Sequence, residues 1–139
     1  MGIRAFFAVE LLPDVRKRLA RAVAAMPLAE SHARPVNADN LHITMHFLGD
    51  IADDRVMDAH EAGARAVAGL TPFELTVGEI VCVPPEGKLR MLWATVADPA
   101  GELADLYTRL GEQLGPEGFR VDPRPFNPHV TLARFRTPP

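Results

Sequence analysis

A six-residue pattern occurs twice in this chain. Asn40-Leu41-His42-Ile43-Thr44-Met45 returns as Asn127-Pro128-His129-Val130-Thr131-Leu132, a template of Asn, any residue, His, a β-branched residue, Thr and an apolar residue. With 5 His and 7 Thr among 139 residues, chance alone predicts about 0.25 His-x-Thr pairs. Two are present, with matched flanks. On a strand, residues i and i+2 project to one face. His42 and Thr44 therefore point together, as do His129 and Thr131, while Ile43, Met45, Val130 and Leu132 point the other way. A strand repeated only for packing would repeat its aliphatic residues; this one also repeats an imidazole and a hydroxyl. If the two strands lie side by side or across a pseudo-twofold axis, their polar faces meet, and two imidazoles and two hydroxyls surround one pocket suited to a tetrahedral oxyanion.

The remaining elements follow from periodicity. Ile3 to Glu10 reads as a first strand, and Leu11-Leu12-Pro13-Asp14 as the break that opens a helix carrying Val15, Leu19, Ala22, Val23 and Met26 on one face. Leu41 to Leu48 is a second strand, bounded by the turn-prone pairs Asp39-Asn40 and Gly49-Asp50. A second helix runs from about Asp53 to Ala68. Phe73 to Val83 and Leu89 to Val96 form two strands joined as a hairpin across Pro84-Pro85-Glu86-Gly87-Lys88. Leu103, Leu106, Leu110 and Leu114 line a third helix, and Val130 to Phe135 is the last strand. Helices mixed with crossover and hairpin connections point to an α+β fold with mixed or antiparallel sheet.

Composition narrows the function. At 139 residues with 47% apolar content the chain has the size and core of one domain. No apolar run approaches the roughly 18 residues of a transmembrane helix. Met1-Gly2-Ile3-Arg4 leads into strand without a cleavable-looking signal, so a cytoplasmic location is expected. The lone Cys82 excludes an internal disulfide framework, and its apolar neighbours predict a buried, inert thiol. A net charge of −3 argues against a broad duplex-binding surface. The charge is uneven, however: Arg120, Arg124, Arg134 and Arg136 against Asp122 leave the last 21 residues at +3. An anion can be held there although the whole chain is acidic.

Two imidazoles suit phosphodiester chemistry. Their unperturbed pKa near 6.5 lets one ring hold a proton while the other lacks one, so that one serves as acid and one as base. Threonine hydroxyls can donate to nonbridging phosphate oxygens without being consumed. No metal or cofactor is needed for this scheme.

The stretches from Pro35 to Asp50 and from Arg124 to Arg134 resemble the two signature motifs of the LigT/ThpR family, RNA 2′,3′-cyclic phosphodiesterases of the 2H phosphoesterase superfamily. Arg4-Ala5-Phe6-Phe7-Ala8-Val9 is similar to the family's opening strand, and Arg90-Met91-Leu92-Trp93 to its middle one. The resemblance implies a bilobal fold with a cleft between two related lobes, each contributing one His-x-Thr, over a single domain of residues 1–139. Family members continue with further strands, so this chain is expected to lack the family's C-terminal strands. The implied reaction is metal-independent hydrolysis of an RNA terminal 2′,3′-cyclic phosphate to a 2′-phosphate. By resemblance, His42 is the proton donor and His129 the proton acceptor, Thr44, Thr131 and Arg134 bind phosphate, and Phe7 is a candidate nucleotide contact.

His46 shares the face of His42 and Thr44 if the strand stays regular. No third ligand accompanies it locally, so it reads as a rim residue contacting RNA rather than a metal ligand. His32 and His60 carry no assignment. Two further functions remain open from sequence: reversible 2′-5′ joining of RNA ends in the same pocket, and a nonhydrolytic module that binds nucleotides or RNA ends. Expected partners are RNA ends or nucleotides bearing a cyclic phosphate, with no membrane.

Overall fold

In the computed structural model, which describes residues 2–27, 33–121 and 125–135, the chain runs through β1 (Gly2–Glu10), α1 (Pro13–Ala24), β2 (Ala33–Pro35), β3 (His42–Ala52), α2 (Val56–Val67), β4 (Thr76–Val83), β5 (Met91–Ala97), α3 (Glu102–Leu114) and β6 (His129–Phe135). The α+β class expected from periodicity is the one observed. His32, Asp122, Arg124 and Arg136 lie outside the described residues. No helix among the described residues is long and apolar enough to cross a membrane.

The chain divides into two compact units. The first comprises Met1–Ala8, Thr44–Leu75 and Asp98–Asn127, and the second Val9–Ile43, Thr76–Ala97 and Pro128–Pro139. This division differs from the expectation that each lobe carries one motif. Its boundary falls inside β3, between Ile43 and Thr44, so His42, His129 and Thr131 all belong to the second unit. Within β3, Ile43 pairs with Val130 of β6, and β1 is the strand's other neighbour.

In the first unit, α2 packs on α3. The buried face of α2 consists of small residues, Ala59, Ala62, Gly63 and Ala66. Gly63 is required by a close approach, since a Cβ there would lie 2.5 Å from Cε1 of Phe7. Helix α3 buries Leu103, Leu106, Leu110 and Leu114, the four leucines that its spacing predicted. The Oδ2 of Asp98 accepts from the Ala104 amide at 3.0 Å and so ties the first turn of α3.

The second unit is organised about β6. It pairs antiparallel with β5, with β2 and, through Ile43 and Val130, with the start of β3. Strand β4 adds to β5 as the expected hairpin. Helix α1 opens with Pro at its first turn, buries Leu19 and Val23, and packs against β6. Ile43, Ala94 and Val130 are fully buried at the centre.

Three sequence expectations change. Gly49-Asp50 does not end β3; Gly49 adopts φ +73° and the strand continues to Ala52. Strand β2 was not anticipated, because its three residues include Pro35 and gain their order only by pairing with β6. Cys82 is exposed, not buried. It lies on β4, whose described pairing is to β5 alone and none of whose residues is buried.

Candidate active site

The equivalent positions of the two motifs, Ile43 and Val130, are Cα partners in antiparallel register. An antiparallel pair has a local two-fold axis, so the motifs are related by that symmetry at the bridge. His42 and Thr131 flank the bridge at one end, and His129 flanks it at the other. Ile43 and Val130 point into the core with no exposed surface, while His42, His129 and Thr131 are half-buried on the opposite face. Thr44 is exposed and shares the His42 face of β3 by alternation.

The His42 ring is set by the turn that precedes it. Residues Ala38–Asn40 form one 3-10 turn, and the Asn37 side chain caps it by accepting from the Asp39 amide at 2.9 Å. Leu41 then anchors the chain in the core. This arrangement leaves the Asn40 carbonyl 2.5 Å from Nδ1 of His42. A carbonyl only accepts, so Nδ1 is the donor of this contact.

His129 is held differently. It opens β6 directly after Pro128, has Thr95 of β5 as its Cα partner, and stacks on Trp93 with ring centroids 3.6 Å apart and planes 13° from parallel. Sequence reading gave Trp93 no role. Its signal was the alternation of β5, where Leu92 and Ala94 are buried and Trp93 and Thr95 face the other way.

Arg134 reaches the site face through an irregularity. Five residues after His129, it would fall on the opposite face of a regular strand. Between Leu92 and Trp93, however, the β5–β6 register shifts by one residue of β6. Leu132 and Ala133 are both buried at this bulge, and alternation resumes with Arg134 exposed on the side of His129 and Thr131. Across β2, Arg34 is its Cα partner and is also exposed.

Two expected site residues are placed elsewhere. Strand β3 does stay regular through His46, but α3 covers the face at that point, and His46 is 1% exposed. Its ring stacks on Tyr107 at 4.0 Å and 9°, and its Nε2 donates to the Tyr107 carbonyl at 2.8 Å. His46 is a packing residue and not a rim contact. Phe7 is half-buried with its ring against Gly63 of α2, which makes it packing as well. Among the described residues no three His, Cys, Asp or Glu side chains are grouped to hold a metal ion.

Two surface hollows, of about 380 and 360 Å³, include neither His42 nor His129 in their linings. The first is walled by Glu102, Asp105 and Glu112 with Arg109, a carboxylate excess unsuited to a phosphate. The second, under α1, is lined mainly by apolar residues including Val23, Leu41 and Leu132. The chemistry-bearing residues lie on the open sheet face.

The chain is similar to known proteins in sequence and in fold. An RNA 2′,3′-cyclic phosphodiesterase of Methanothermobacter thermautotrophicus is 28% identical over 138 residues, covering 99% of this chain and 74% of its own length. Another, of Thermus thermophilus, is 33% identical over 141 residues, covering 98% of this chain and 70% of its own. The crystal structure of Escherichia coli LigT complexed with 3′-AMP superimposes with a TM-score of 0.75 at 26% identity, over 96% of this chain and 74% of that one. Residues 13–139 match the model of the 2′-5′ RNA ligase superfamily, and the chain belongs to that family.

Proposed function

We propose that this chain hydrolyses RNA terminal 2′,3′-cyclic phosphates to 2′-phosphates without a metal. The observation that carries the reading is the antiparallel bridge between Ile43 and Val130, which sets the same position of both motifs at one local two-fold. The relatives named as RNA 2′,3′-cyclic phosphodiesterases supply the reaction class.

The residues divide the work as follows. Water attacks phosphorus, its proton passes to His129, and the bond from phosphorus to O3′ breaks. Doubly protonated His42 gives the Nε2 proton to O3′, and the pair exchanges its protons through solvent before the next turnover. The Nδ1 contact to the Asn40 carbonyl turns the transfer to Nε2 and suits a donor or an acceptor alike, so the direction assigned here follows the family resemblance. Thr44 and Thr131 donate to the nonbridging oxygens, and the Arg134 guanidinium balances their charge. No resident cofactor takes part. If an RNA hydroxyl replaces water as the nucleophile, the same steps join a 2′-5′ linkage, the reading that the family description favours.

The deciding experiment incubates the protein with a nucleoside 2′,3′-cyclic phosphate, and with a short RNA ending in one, in excess chelator. A 2′-phosphate product and a bell-shaped pH profile are expected. A 3′-phosphate product, or no turnover until a divalent metal is added, refutes the mechanism. A 5′-hydroxyl RNA in the same mixture reports joining as a longer product.

A further inference from the structure

We propose that Trp93 is a positioning residue for His129, holding the imidazole plane and stabilising the charge the ring acquires; this rests on the cyclic phosphodiesterase reading. The two imidazoles are oriented by different devices. His42 has its Nδ1 tied to the Asn40 carbonyl. His129 is the first residue of β6, at a strand end, and lies in face contact with the indole at 3.6 Å.

The platform is firmly fixed. Strand β5 is paired on both sides, by β4 and by β6, and Leu92 and Ala94 anchor it in the core on either side of Trp93. Trp93 has Thr131 as its Cα partner and Thr95 has His129, so the stack runs diagonally across the strand pair. A catalytic ring held by a rigid neighbour keeps its geometry through turnover. The indole face is also the aromatic surface that best attracts a cation. When His129 takes the proton of water its ring becomes an imidazolium, and the attraction grows as the charge develops. An interaction that strengthens along the reaction raises kcat more than it lowers KM. The indole Nε1 is buried with no hydrogen-bond partner among the described residues. Phenylalanine would fill the site without leaving a donor unpaired, so hydrogen bonding is not what tryptophan contributes there.

Trp93 is the only tryptophan of the chain, which gives the inference a readout independent of activity. An imidazolium in face contact quenches indole emission by accepting an excited-state electron, and neutral imidazole does so far less. Emission of the full chain is expected to be weaker at a pH low enough to charge the imidazole than at one high enough to leave it neutral. That dependence should vanish in His129→Gln and persist in His42→Gln. Kinetically, Trp93→Leu is expected to lower kcat by on the order of 10- to 100-fold with KM changed by less than about threefold. Trp93→Phe should recover most of the loss, with thermal unfolding measured alongside to establish that each variant folds. Emission that ignores pH, or that keeps its pH dependence in His129→Gln, overturns the contact. A folded Trp93→Leu with wild-type kcat overturns the positioning role. If Trp93→Leu does not fold, Trp93→Phe and the emission titration decide. Wild-type protein that turns over no cyclic phosphate overturns the function reading and the kinetic half of this inference together, while the emission titration still judges the stack by itself.

Discussion

Two histidines in this molecule stack on an aromatic ring with nearly the same geometry, and we assign them different roles. His46 lies 4.0 Å from Tyr107 at 9°, and His129 lies 3.6 Å from Trp93 at 13°. The stack therefore does not distinguish a structural imidazole from a chemical one. Their burial and surroundings do. His46 is sealed beneath α3 with Nε2 committed to the Tyr107 carbonyl, and Tyr107 in turn stacks on Phe126 at 4.4 Å. His129 is half-buried at the start of a strand, on the face that carries Thr131 and Arg134. His46 is closed off inside the fold, whereas His129 is half-buried beside the other residues of the repeated motifs.

Substitutions can break this contrast from either side. The largest effect is expected for His129→Ala, which should lower kcat by roughly 10²- to 10⁴-fold while leaving the unfolding temperature nearly unchanged. Steady-state kinetics beside thermal unfolding test this, and a variant that loses stability instead of turnover would erase the distinction. His46→Ala should show the opposite pattern. Loss of the stack and of the Tyr107 hydrogen bond is expected to cost about 2–3 kcal/mol, seen as a melting point lower by several degrees. The protein that remains folded should keep its specific activity. The smallest effect concerns Gly111, where a Cβ would meet Val121 Cγ1 at 3.4 Å and His46 Cε1 at 3.6 Å. Val121 lies at the surface and can yield, so Gly111→Ala should gain up to about 1 kcal/mol from helix propensity. Urea denaturation would show it, and a clear loss would mean that the space over His46 is fuller than this geometry allows.

The sequence made part of this legible and hid the rest for physical reasons. The paired motifs were readable because strand alternation is local: His42 with Thr44, and His129 with Thr131, need no knowledge of distant residues. The leucine face of α3 was readable for the same reason. His46 misled because alternation says which face a residue shares but not where along the strand a helix covers that face. Trp93 was passed over because its partner lies 36 residues away, on a strand brought alongside only by the β5–β6 register. Phe7 was ambiguous from β1 alone, and the small residue that receives it, Gly63, belongs to α2.

The bulge at Leu132 and Ala133 shows that this strand stores chemical information in its length as well as its letters. An even count of residues from Thr131 would deliver a side chain to the face of the imidazole, and Arg134 stands at an odd one. The one extra residue reconciles the two by inserting a half-step of rotation. A regular strand of the same length would keep every functional residue in the chain and still send the guanidinium into the aliphatic layer beside Val130. In this segment the pairing register is as consequential as the identity of a charged group.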